Sequence, residues 1–358
     1  MVRNTRALLV GALAMISVGA LSGCAATASG ATPAGSPAIE PLVLYSAMGY
    51  DSAIAKAFTA ESGIPVKLVD DSTGPLLTKI AAEKNNPQWG AFWADGDTAF
   101  AALDKQGQLL PYTSVAKLNA VGTALTPKNK SYLPTGTTIM AALIYNAAAV
   151  TEVPKTYRDL LGTAYSGKVG MNDPSQSGPT YPFIAGLMNQ LGGTTGGVAA
   201  GEAYLAKLKA NGLHVSPTNG DTLHALETGQ ISYGLIQSSA AEGEILKLKA
   251  KPVAGFDPKV AYLSKSTLLP GVFGIDKGAS PAQRAEAEKL YEYIVSPAGQ
   301  AVAQGADATG DSLYWPVVDG VNALPGLSAF PADYQTLDPY FWGPLQGQVV
   351  TWFDGSIK

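Results

Sequence analysis

Apolar and polar positions along residues 41–110 fall in a repeating order: a short apolar run, a small polar corner, then apolar groups at helical spacing. Leu42-Val43-Leu44-Tyr45 predicts a strand, Ser46 to Gly49 a loop, and Ala53, Ile54, Ala57 and Phe58 a helix that Gly63 ends. Val66 to Val69 predicts the next strand, with a loop over Asp70 to Gly74. Pro75 then stands at a plausible first helical position, in a helix running to about Lys84. Ala91 to Ala94 predicts a third strand, Asp95-Gly96-Asp97 a turn, and Thr98 to Gln106 a helix closed by Gly107. Three strand–loop–helix units in succession imply a parallel, right-handed α/β sheet.

A second series follows. Strands are predicted over Thr137–Asn146, Lys168–Asn172, Ile231–Gln237 and Leu268–Ile275. Helices are predicted over 156–162, Pro179–Leu191, Ala200–Ala210, Asp221–Thr228 and Pro281–Val295. Residues 309–358 are rich in Gly, Pro, Trp and Tyr, with short apolar helices. No period of 20–50 residues recurs, which excludes a solenoid.

The start of the chain reads differently. Arg3 and Arg6 precede a run of apolar and small residues from Ala7 to Leu21, too short for a bilayer-spanning helix and shaped like a secretory signal. It ends in Leu21-Ser22-Gly23-Cys24, which holds the only cysteine and resembles the bacterial lipobox. The expectation is a signal peptide over 1–23 and lipidation at Cys24. A flexible tether over 24–40 would reach roughly 20–24 Å from the membrane. The body would then work on the extracytoplasmic face of the cell membrane. A single cysteine excludes a disulfide framework and a cysteine-based zinc site.

Charge narrows the function classes. The 358 residues carry 24 Lys and Arg against 28 Asp and Glu, a net charge of −4. No basic surplus exists for nucleic-acid binding. There is no G-x-S-x-G, H-E-x-x-H or C-x-x-C. Gly162 to Val169 nearly fits a phosphate loop, but Val169 has no hydroxyl for magnesium and the segment leads into a strand. His214 and His224 read as structural histidines.

The informative corners follow the strands: Ser46-Ala47-Met48-Gly49, Asp71-Ser72-Thr73-Gly74, Asp95-Gly96-Asp97-Thr98, and Ser175 to Thr180. Each combines glycine, small hydroxyl residues and a following helix. Helix N-termini present free N–H groups and partial positive charge to an anion, although plain N-capping uses the same residue types. Beyond residue 24 the only arginines are Arg158 and Arg284, so a bidentate clamp on an amino-acid carboxylate is disfavoured. A tetrahedral oxyanion held by N–H groups and hydroxyls is favoured. Asp71, Asp95 and Asp97 are candidates to face an amine on the same ligand, and Trp93, Tyr181, Tyr314 and Trp315 to wall it.

The stretch from LVLYSAMGYDSAIAKAF to FAALDKQG resembles the N-terminal lobe of the solute-binding family that includes ferric-iron and 2-aminoethylphosphonate binding proteins of ABC importers. YSGKVGMNDPSQSGPTYPFIAG and GDTLHALETGQISYGLIQSS resemble its second lobe. The resemblance implies a two-lobed class II periplasmic-binding fold, each lobe a mainly parallel sheet flanked by helices, with the ligand cleft between them. Lobe 1 would take 41–136 and 272–358, and lobe 2 would take 137–271. The crossings would be at Pro134-Thr135-Gly136 and Leu269-Pro270-Gly271. It implies capture of a small anionic or zwitterionic solute for a membrane permease, by a monomer without cofactor, metal or enzyme activity. Ferric members hold iron with two adjacent tyrosines just after the strand that ISYGLIQ matches; here those places are Ser238 and Ser239. That departure favours the phosphonate side, with ferric iron and an extracytoplasmic hydrolase as the alternatives. The expected ligand contacts are Ser46, Ala47, Ser72, Thr73, Trp93, Asp95, Asp97, Ser177, Thr180, Tyr181, Ser238, Ser239 and Tyr314.

Overall fold

The computed structural model describes residues 40–307 and 310–358. The expected signal peptide, Cys24 and all of the tether but Glu40 lie outside the described residues.

The first series forms as the apolar pattern predicts: β1 (Leu42–Ser46), α1 (Asp51–Ser62), β2 (Val66–Asp70), α2 (Thr73–Ala82), β3 (Ala91–Asp95) and α3 (Asp97–Lys105). Gly63 closes α1 at φ 72°, its N–H donating to the Thr59 carbonyl, a left-handed cap that glycine adopts without steric cost. A short helix α4 (Ala120–Leu125) leads to the long strand β4 (Leu133–Asn146). The second series comprises β5 (Val169–Asn172), α5 (Thr180–Ala210), β6 (His214–Ser216), α6 (Asn219–Glu227), β7 (Tyr233–Ile236), α7 (Ser238–Ala250) and β8 (Pro258–Ile275). The chain then returns through α8 (Pro281–Ile294), α9 (Pro297–Ala306), β9 (Tyr334–Gln335), α10 (Pro339–Trp342) and α11 (Gln346–Ser356).

One continuous sheet runs β2-β1-β3-β8-β4-β7-β5-β6, with β9 beside β8. β1 pairs in parallel with β2 and β3, and β5 in parallel with β6 and β7. Each parallel group is joined to the middle by one antiparallel pairing, β3 to β8 and β7 to β4. β4 and β8 are antiparallel partners along most of their length, so these two strands connect the halves. Both are longer than the apolar runs predict. Pro134-Thr135-Gly136 and Leu269-Pro270-Gly271 lie inside them, with a register shift between Pro134 and Gly136. A Cβ on Gly136 would lie 2.7 Å from the Tyr314 ring, and one on Gly271 2.9 Å from Thr135 Oγ1. Only glycine fits at either place.

Three other differences have physical causes. The two helices predicted between Pro179 and Ala210 meet without a loop, broken at Gly193 by φ 62° and ψ −158°. α7 escapes a periodicity reading because it is buried along charged as well as apolar positions, including Ser238, Ser239, Glu242 and Glu244. The tail does not stay with the first half: Trp342, Val349, Phe353 and Ile357 pack with Leu143, Leu205 and Leu208 in the core of the second. The first half has its own core, built on Leu42, Ile54, Trp93, Phe273 and Leu290.

Candidate functional site

A cavity of about 190 Å³ opens between the halves. Its walls are the corners at the carboxyl ends of the strands, where open α/β sheets place ligands. The first half contributes Ala47, Ser72, Thr73, Asp95 and Asp311. The second contributes Gln176 to Pro179, Thr218 to Gly220, and Gln237. A smaller adjoining recess, about one water in size, shares Asp95, Gln237 and Asp311 and adds Met48, Tyr50, Thr138 and Tyr314.

The N-termini of four helices meet at this cavity. Residues 72–73 begin α2, 176–179 lead into α5, 218–220 begin α6, and Gln237 precedes α7. Plain capping accounts for only one of them. Thr218 caps α6 through a reciprocal box with Asp221, whereas α2, α5 and α7 have no side-chain cap. At α5 the Thr180 N–H donates instead to the Ser177 carbonyl at 3.1 Å, and the Ser72 and Thr73 corner of α2 and Gln237 before α7 line the cavity. Among the described residues no lysine or arginine lines the cavity, and the helix ends are a source of positive potential there.

Asn172, fully buried at the end of β5, organises the second-half corners. Its Nδ2 donates to Asn219 Oδ1 (2.6 Å) and Ser177 Oγ (3.3 Å), and its Oδ1 accepts from Thr222 Oγ1 (2.7 Å). The corner over 173–178 is tied in turn by Asp173. Its carboxylate accepts from Ser175 N and Oγ, each at 2.8 Å, and its carbonyl from Gln176 N and Ser177 N.

Two carboxylates sit deep in the cleft. Asp95 accepts from Gln237 Nε2 at 2.9 Å, across the two halves. Asp311 accepts from Gly49 N at 2.9 Å. Burial pushes the Asp95 carboxyl up to about 7, the nearby Asp311 charge adds to the rise, and the Gln237 hydrogen bond opposes it. Asp311 is likewise raised by burial. Beside them Tyr50 and Tyr314 lie 5.6 Å apart by ring centroids, and Tyr50 packs edge-on against Trp93 at 5.4 Å. Asp95 and Asp311 share the recess with the rings of Tyr50 and Tyr314, and among the described residues no basic side chain lines it.

The expected contacts divide. Ala47, Ser72, Thr73, Asp95 and Ser177 line the main cavity, and Tyr314 lines the recess. Ser46 is buried, its hydroxyl accepting from Met48 N. Trp93 is a core side chain whose Nε1 donates to Thr135 Oγ1 at 3.0 Å. Tyr181 is buried in the other core, its hydroxyl donating to the Trp342 carbonyl. Asp97 turns away and lines a separate cavity with Tyr132 and Tyr340. Ser238 Oγ is taken by Ile139 N at 3.0 Å. Ser239 and Thr180 are buried with unpartnered hydroxyls and line neither part of the cleft. The residues that the sequence did not single out are Gln237, Thr218, Asn219, Gly220, Tyr50 and Asp311, while Gln176 lies in a corner that it did.

The chain matches the model of the bacterial extracellular solute-binding protein family over residues 53–336. It belongs to that family. Its function is that of an extracellular solute-binding protein. No helix among the described residues is long and apolar enough to cross a membrane. The chain is 27% identical over 248 residues, 68% of each chain, to the Salmonella typhimurium protein named "Putative 2-aminoethylphosphonate-binding periplasmic protein". In fold it resembles iron-bound HitA from Pseudomonas aeruginosa, with 22% identity and a TM-score of 0.71, covering 88% of this chain and 99% of that one. It also resembles AfuA from Actinobacillus pleuropneumoniae with fructose-6-phosphate bound, with 19% identity and a TM-score of 0.73, covering 88% and 98%.

Proposed function

We propose that the solute is a small zwitterionic phosphonate, with 2-aminoethylphosphonate as the best fit. The observation that carries this reading is the polarity of the one cleft. Helix N-termini and hydroxyls line it together with Asp95 and Asp311, which also share the recess holding Tyr50 and Tyr314, and no basic side chain lines either part among the described residues. The phosphonate oxygens take the N–H groups of α2, α5, α6 and α7, with Ser72, Thr73 and Ser177. The ammonium lies against Asp95 and Asp311 beside the rings of Tyr50 and Tyr314. A bare phosphate leaves the two aspartates uncompensated, which disfavours it. The curated relative named for 2-aminoethylphosphonate agrees with this chemistry.

Ferric iron remains the competing solute, because phenol and carboxylate groups do meet in the recess. Against it, the Tyr314 hydroxyl is engaged with Gln300 Oε1 at 3.1 Å, and Ser238 and Ser239 offer no phenolate. The protein acts by capture and release, as a monomer anchored through lipid on Cys24, without covalent chemistry. Lobe 1 takes 41–136 and the return from 272, lobe 2 takes 137–271, and the tail from about Trp342 docks on lobe 2. The lobes close by a hinge at Pro134–Gly136 and Leu269–Gly271.

A thermal-shift screen tests the solute class, using 2-aminoethylphosphonate, ethylphosphonate, inorganic phosphate, fructose-6-phosphate and ferric citrate. A ligand at 100 times its dissociation constant adds about 2.7 kcal/mol to stability. The aminophosphonate is expected to give the largest shift and to be recovered unchanged by mass. A larger shift with ferric citrate sinks the reading, and turnover of the ligand converts it to the hydrolase.

A further inference from the structure

The cleft corner at 173–178 is held from behind by a residue far away in sequence. Lys358 Nζ pairs with Asp173 Oδ2 and donates to Ser175 Oγ at 3.0 Å. The same ammonium reaches Asp354 Oδ1 at 2.6 Å, one helical turn back along the chain. α11 is fixed under this contact by Val349, Phe353 and Ile357 in the second core, and by Lys209 Nζ donating to the Ser356 carbonyl at 2.9 Å. Asp173 is only 10% exposed in its side chain and Lys358 35%, so the pair is better shielded than an ordinary surface pair.

The front of the same corner faces both the solute cavity and the opposite half. Gln176, Ser177 and Gly178 line the cavity. Gly178 lies so close to Thr73, and Gly74 so close to the Ser175 carbonyl, that a Cβ on either glycine would fall well inside van der Waals contact. The corner therefore lines the solute cavity and is also one of the places where the two halves touch.

We propose that Lys358 is a positioning residue for the solute. By holding the Asp173 carboxylate it fixes the 173–178 corner in the shape that presents its N–H and hydroxyl groups to the anion and meets α2 across the cleft. Asp173 has two oxygens with separate tasks. Oδ1 orders Ser175, and Oδ2 takes Lys358. Without the ammonium the buried carboxylate loses its partner and the turn loses its outer anchor. The cleft then pays in retention of the solute, since the contacts to Thr73 and Gly74 also depend on that turn. This inference rests on the cleft being the solute site.

Two readouts separate its failure from the failure of that reading. The first needs no ligand: hydrogen exchange at Gln176 N and Ser177 N, both bonded to the Asp173 carbonyl. Lys358→Ala is expected to speed their exchange, Lys358→Arg to keep it slow, and Asp354→Asn to leave it unchanged. The second is calorimetric binding of 2-aminoethylphosphonate. Lys358→Ala is expected to weaken it about tenfold, mostly through faster dissociation, with Lys358→Arg restoring most of the loss. Unchanged exchange in Lys358→Ala overturns the proposal. Faster exchange with unchanged affinity overturns the link to the solute. If the wild-type protein takes up no 2-aminoethylphosphonate, the solute reading fails, and the exchange arm alone decides whether Lys358 holds the corner.

Discussion

Replacing Asp95 by Asn probes the site through two opposite effects. Burial pushes the carboxyl up to about 7 in the fold, against 3.8 for a free aspartate. A folded-state value above the unfolded one means that the fold disfavours the charged form. The resulting destabilisation is absent below about pH 4, grows between pH 4 and 7, and is complete above pH 7. At 1.36 kcal/mol per pH unit the full effect is roughly 4 kcal/mol. Asn keeps the oxygen that accepts from Gln237 Nε2 and cannot ionise. Asp95→Asn should therefore make the ligand-free protein more stable, by a margin that widens from pH 4 to 7 and is flat above. Binding should move the other way. The variant loses one charge-assisted interaction with the ammonium, worth about 1.5–3 kcal/mol, or roughly ten- to a hundredfold in affinity. Denaturant melts across pH and calorimetry at pH 8 measure both. A variant that is less stable at every pH, with unaltered affinity, refutes the argument that this carboxylate is strained in order to bind a cation.

Other outcomes follow from packing and topology. Gly178→Ala should weaken solute binding by at least about tenfold, because the new methyl would fall 2.3 Å from Thr73 Cβ where the halves touch; small-angle scattering should show less compaction on ligand addition. Trp342→Ala should cost about 3–5 kcal/mol by thermal or denaturant melting, since the ring is fully buried in the second core. Cys24→Ser should move the protein from the membrane fraction to the soluble fraction with its melting temperature unaltered; retention in the membrane fraction refutes the lipid anchor.

The strand–helix alternation was legible because each unit carries its own apolar period and its own stop, as Gly63 shows for α1. Ser72, Thr73 and Ser177 were legible because local chain direction already places such corners at the carboxyl ends of parallel strands. Trp93 and Tyr181 misled for a simple reason: an aromatic next to a corner has a core side to turn to, and both take it. At the end of β7 the expectation missed by one residue. Gln237 reaches Asp95, whereas Ser238 starts α7 and gives its hydroxyl to Ile139 N. Strand pleat and helix onset decide that choice, and neither is visible in Ile-Gln-Ser-Ser. Asp311 was illegible for a different reason. It reaches the cleft only because the chain returns past Gly49 after β8, a contact spanning 262 residues. Its pairing with Asp95 is a property of topology rather than of any motif. The same holds for Lys358 behind Asp173.

The polarity of the cleft is tested most directly by titrating the wild-type protein at pH 8 with 2-aminoethylphosphonate and with ethylphosphonate, which share an anion and differ in the amine. The Asp95–Asp311 pair predicts that the aminophosphonate binds at least about tenfold more tightly. Equal affinities, or tighter binding of ethylphosphonate, would contradict the account.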